Sequence, residues 1–105
     1  MKFVDKLAVL PAVDHLVRLE LTGPEGQVEV IENKPGSAGS VRVYAYLGGK
    51  HGCIDATAAK EGVDIYAEHG EDARLHPGKH SNIDRLFAVL RGGGDWRVRP
   101  VPAGQ

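Results

Sequence analysis

Apolar and polar positions change rhythm several times along this chain, and each change marks an element. Phe3, Leu7 and Leu10, with Val4 and Ala8 beside them, recur at helical spacing until Pro11 stops the run. From His15 the period becomes two, with Val17, Leu19 and Leu21 on one face and Arg18, Glu20 and Thr22 on the other. Gly23-Pro24-Glu25-Gly26 supplies a turn, proline fixing φ at the first central position and glycine closing it. Alternation resumes with Val28 and Val30 as the apolar set against Gln27 and Glu29. Residues 15–32 therefore read as a β-hairpin.

Two segments fit either period. Val41, Val43, Ala45 and Leu47 alternate with Arg42, Tyr44 and Tyr46, as in a strand, yet Val41, Tyr44, Ala45 and Gly48 also share a helical face. The ends favour a helix: Ser37 or Ser40 can cap it, and Lys50-His51-Gly52 puts glycine at the left-handed position with Ile54 just beyond. Asp55 then caps the Ala-rich run 56–61. Past Gly62, Val63, Ile65 and Ala67 alternate like a strand, but no turn residue follows the glycine. The helix is expected to run on to Gly70, at about 1 kcal/mol for the mid-helix glycine. The histidine-rich stretch that follows reads as a structured loop bent at Pro77-Gly78.

After it, Ser81-Asn82-Ile83-Asp84 caps a last helix, with Ile83, Leu86, Phe87 and Leu90 at i, i+3, i+4 and i+7. Gly92-Gly93-Gly94 ends it. Trp96 and Val98 alternate with Arg97 and Arg99 in a final strand, residues 95–101, before Pro100 and Pro102 end regular pairing. Residues 102–105 are expected to fray. The order predicts a small α+β fold, a single domain over 1–105. Its antiparallel sheet, the 15–32 hairpin plus the C-terminal strand, is covered by three to four helices. The alternative is α/β with additional strands at 41–47 or 63–67. Three strands leave an open edge, which invites a homodimer.

Composition narrows the function classes. With 105 residues the chain can hold one core without disulfides or a structural metal. Its single cysteine, Cys53, and the absence of a basic-then-apolar leader pattern point to a cytosolic protein. Val41–Leu47, the most apolar run, is too short to cross a bilayer and holds Arg42. Residues 1–73 carry seven Lys/Arg against twelve Asp/Glu, whereas residues 74–105 carry six against two. Such a split either provides an anion-binding end or lets the two halves complement one another. Neither the basic excess nor the aromatic content suits nucleic acid.

The densest candidate chemistry is Glu68–Leu86, where His69, His76 and His80 stand among carboxylates. A divalent metal (zinc, iron or manganese) would draw on these histidines with Asp72 or Glu68. Lys79 inside the His76–His80 chelate opposes a cation, so no metal or other cofactor is expected. In the structural alternative His76 and His80 hydrogen-bond the loop and help cap the next helix. The same region offers acid–base pairs, His80 with Asp84 and Arg85, or His69 with Asp72 and Arg74, able to move protons near neutral pH. Lys34–Ser40, leading into a helix, can receive an anion on backbone N–H groups and on Ser37 or Ser40, although the Gly-Lys-Ser/Thr ending of a phosphate loop is missing. Arg85, Arg97 and Arg99 are the basic candidates for an anionic ligand. Cys53 reads as a small buried residue rather than a nucleophile.

Across Glu32–Ser40 and His76–Leu86, and at Ala67-Glu68-His69, the chain resembles a family of small bacterial proteins that form a domain of unknown function. The likeness runs along most of the chain. It implies a bacterial, cytosolic, stand-alone domain and brings no activity. Two functions follow as expectations. The first is a small binding or accessory module for an anionic small molecule or a protein partner. The second is a small enzyme whose catalytic residues come from His69, His80, Asp72 and Asp84.

Overall fold

A computed structural model describes residues 1–104. In chain order it contains α1 (Phe3–Ala8), β1 (Leu16–Thr22), β2 (Val28–Glu32), α2 (Ala38–His51), α3 (Ala56–Tyr66), α4 (Glu68–Leu75), α5 (Ser81–Leu90) and β3 (Arg97–Pro102). The fold is α+β, with one antiparallel sheet in the order β2-β1-β3. Leu19, Leu21 and Ile31 of the sheet join Tyr44 and Leu47 of α2, Ala58 and Ala59 of α3, and Ile83 and Leu86 of α5 in one core. Among the described residues no helix is long and apolar enough to cross a membrane.

The hairpin forms as expected, but three of its valine assignments are reversed. Leu19 pairs with Ile31 and Leu21 with Glu29, so the inner face of β2 carries Glu29 and Ile31. Val28 and Val30 lie outside, 65% and 47% exposed. The turn closes through the Gly23 N–H on the Gln27 carbonyl. That register places Glu29, not a valine, beside Leu21, and a shift of one residue exchanges the faces of a strand. Val17 is also outside, because a bulge between Leu16 and Arg18 lets Leu16 and Leu19 both point inward.

β3 runs through both prolines instead of stopping at them. Pro100 stands opposite Leu19, whose backbone N–H and C=O face β2. The missing proline donor therefore falls on the open side of an edge strand, where it costs no ladder bond. β2 is the other edge of the sheet. Trp96 lies just before β3 in an isolated bridge to Ile54. In the expected frayed tail, the Ala103 N–H donates to the His15 carbonyl at 2.8 Å; Gln105 lies outside the described residues.

Both ambiguous segments are helical. α2 ends at Gly52, φ +83°, as its C-terminal signal requires. α3 is capped by Asp55, whose carboxylate accepts the Ala58 N–H at 2.8 Å. It passes straight through Gly62 for a packing reason: a Cβ there would sit 2.7 Å from a Leu86 methyl and 2.8 Å from a Leu47 methyl. The glycine lets α3 close against α2 and α5 at once. α3 does not reach Gly70. It stops at Tyr66, and Ala67, the only non-glycine residue with positive φ (+52°) among those described, turns the chain into α4. The loop expected after Gly70 is therefore helical in its first part, to Leu75. Only Gly70 and Ala73 of α4 are buried, so it has no apolar stripe to reveal it.

Candidate functional site

The kink at Ala67 lays α4 beside the start of α5 and gathers the histidine-rich stretch around one carboxylate. Asp72 Oδ2 lies 2.6 Å from His80 Nε2 and 2.9 Å from Lys79 Nζ, and its Oδ1 lies 3.8 Å from His76 Nε2. The hydrogen bond from His80, and then that from Lys79, hold the Asp72 carboxyl down at about 2. His69, one turn earlier on α4, has its ring centroid 6.0 Å from that of His80. Among the described residues no group of three or more His, Cys, Asp or Glu side chains is arranged to hold a metal. The Asp72 oxygen that a cation would need already serves Lys79 and His80.

His80 occupies the position before the first turn of α5 without a side-chain capping bond. The expected capping role thus falls neither to its imidazole nor to Ser81, which is already helical. Asp84 is spent locally, its carboxylate accepting the Gly78 N–H at 2.9 Å, so it does not form an acid–base pair with His80. Ser37 occupies the equivalent position before α2, but its hydroxyl donates back to the Glu32 carbonyl and caps nothing. Both helices consequently start with free donors. Among the described residues, the N–H groups of Gly39, Ser40, Ser81 and Asn82 have no acceptor.

The two uncapped first turns border the same cleft, about 510 Å³ in volume. Lys79, His80 and His69 supply its cationic and imidazole side. Ser40 and Tyr66 contribute a hydroxyl pair 2.7 Å apart, and burial raises the Tyr66 phenol well above its usual range, so it keeps its proton. Phe3 of α1 forms the remaining wall. A cleft of this size with a few convergent polar groups is the usual form of a small-molecule site.

The arginines proposed as ligands do not reach this cleft. The Arg85 side chain is only 8% exposed. It lies against the rings of Tyr44 and Trp96, at 5.4 and 5.3 Å, and bonds Glu29, the Tyr44 hydroxyl and Asn82 Oδ1. Arg99 is committed to Glu20 at 2.8 Å on the outer face of the sheet, and Arg97 lines a separate groove. Cys53 borders that same groove, where burial pushes its thiol up, away from a reactive thiolate. The structure brings together His69, His80 and Ser40, with Asp72 behind His80, residues that the sequence offered only in separate groups. Sequence reasoning missed Phe3 and Tyr66 as walls, since nothing local in the sequence brings residue 3 to residue 69.

No curated protein and no solved structure matches this sequence. A family model does, over residues 3–100, which takes in both first turns, α4 and the Asp72 cluster. The chain therefore belongs to the family described as an uncharacterized protein conserved in bacteria (DUF2322).

Proposed function

We propose that the protein binds a small anion, of the phosphate or carboxylate class, in the cleft between the first turns of α2 and α5. One observation carries this reading: two uncapped helix starts share a cleft that also holds Lys79 and His80. Each helix start presents free N–H groups and the positive end of a dipole, and such ends favour anions. Asp72 shares one carboxylate oxygen between the Lys79 ammonium and the His80 imidazole, which leaves further Lys79 donors for a ligand. In this reading Lys79 takes the place of the expected Arg85, Arg97 and Arg99, while Ser40 of the expected set still borders the site.

The His80–Asp72 contact favours a second reading, in which the cleft is catalytic. An imidazole fixed by a carboxylate through one nitrogen presents the other for proton transfer. One titration separates the two. Thermal shift and calorimetry with inorganic phosphate should register binding that weakens as salt rises and falls severalfold in Lys79→Ala. Absence of any response to phosphate, sulfate or acetate would overturn the anion site. Release of phosphate from an added aryl phosphate, lost in His80→Gln, would instead establish the catalytic reading.

A further inference from the structure

α1 is too short to hold itself together and buries no residue completely, yet it is pinned at several points. The Phe3 N–H donates to Glu68 Oε1 at 2.8 Å, and Lys6 Nζ donates to the Asp64 carbonyl at 2.8 Å. These bonds fix the Phe3 ring over Tyr66, stacked at 5.2 Å and 21°, and edge-on to His69 at 5.2 Å. Gly39 lies beside it: a Cβ there would meet the Phe3 ring at 3.4 Å, so the ring stands close to the start of α2. The anchoring thus gives an aromatic wall to the cleft that Lys79 and His80 also line.

From this geometry we infer that the ligand is an organic monophosphate with a compact aromatic or apolar body. The phosphoryl group would lie at Lys79 and the helix starts, and the body against Phe3 and His69. The inference rests on the anion reading and goes beyond it. A cleft of about 510 Å³ is of the size that encloses small organic molecules, much more than four oxygens around phosphorus require. A bare anion would also leave the Phe3 wall facing water. Tetrahedral phosphate suits donors arriving from two helices and a lysine, whereas a planar carboxylate is satisfied by one fork.

The test compares inorganic phosphate with phenyl phosphate by isothermal titration calorimetry on the full chain, in wild type, Phe3→Ala and Phe3→Leu. Phenyl phosphate should bind on the order of tenfold tighter than phosphate in wild type, the scale of an aromatic contact. That advantage, read as the ratio of the two affinities within each variant, should vanish in Phe3→Ala and shrink in Phe3→Leu. Phosphate binding with no phenyl advantage, or an advantage that survives both substitutions, would overturn this inference and leave the anion site standing. If neither ligand binds, the anion site itself fails, and this inference fails with it.

Discussion

Arg85 and Lys79 stand on opposite sides of the first turn of α5, and their surroundings differ in kind. Arg85 is answered by the protein. Its Nε and Nη2 meet Glu29, its Nη1 meets Tyr44 and Asn82, and its flat faces lie near two aromatic rings. Lys79 and His80 share one carboxylate oxygen of Asp72, and the neighbouring N–H groups of Ser81 and Asn82 have no acceptor among the described residues. Buried polar groups that are fully paired hold a fold together, while unpaired donors lining a cleft leave room for a ligand. In the sequence both residues are simply basic. The comparison teaches that satisfaction, rather than charge, separates a structural cation from one available for binding.

The largest expected effect tests the structural side. Arg85→Ala removes a nearly buried cation together with its stacking on Tyr44 and Trp96, and such losses reach about 3–5 kcal/mol. Glu29 is half exposed and regains water, so a loss of about 2–3 kcal/mol is expected. In thermal denaturation that lowers Tm by more than about 10 °C for a domain of this size. Phosphate affinity of the folded fraction should stay within about twofold of wild type. A variant that kept its Tm but lost phosphate binding would reverse the comparison.

A smaller effect of opposite sign is expected at the kink that builds the cleft. Ala67 holds φ +52° and ψ −119°, a conformation that costs a residue with a Cβ about 1–3 kcal/mol. Ala67→Gly relieves that strain against a penalty of about 0.5–1 kcal/mol from the greater freedom of the unfolded chain. A net gain of about 1 kcal/mol should appear in urea unfolding. A loss would mean that the methyl group packs usefully and that the kink is not strained.

The same kink shows where the sequence stops being informative. Period was enough to place the hairpin and α5, and the Gly52 end signal to place α2, although the expected serine caps do not form and the valines of the hairpin face outward. α4 has neither, and its start depends on one strained alanine that no pattern marks. The outward turn of Val28 and Val30 was hidden for a related reason, since the register set by the Gly23–Gln27 closure outweighed their apolar character. At the site, His69 and Asp72 are three residues apart on one helix, and Lys79 and His80 follow at the next turn, so local spacing brought them within reach. Ser40–Tyr66 and Phe3–His69 are separated by 26 and 66 positions, and only tertiary packing makes them neighbours.

The smallest effect on stability is expected from Asp72, the carboxylate behind Lys79 and His80. The Asp72 carboxyl is held at about 2, below its ordinary 3.8, by His80 and then Lys79. A depressed carboxylate stabilises the fold above its unfolded value and ceases to do so as pH falls through the folded one. Its contribution should therefore disappear between about pH 4 and pH 2. Asp72→Asn should remove that part of the acid unfolding curve and leave the rest unchanged. At pH 7 the same variant takes a negative charge away from Lys79 and His80, so phosphate should bind roughly two- to fivefold tighter. Weaker phosphate binding would mean that the cleft needs Asp72 to hold His80 and Lys79 in place, and the unpaired side of the comparison would then be less open than its donors suggest.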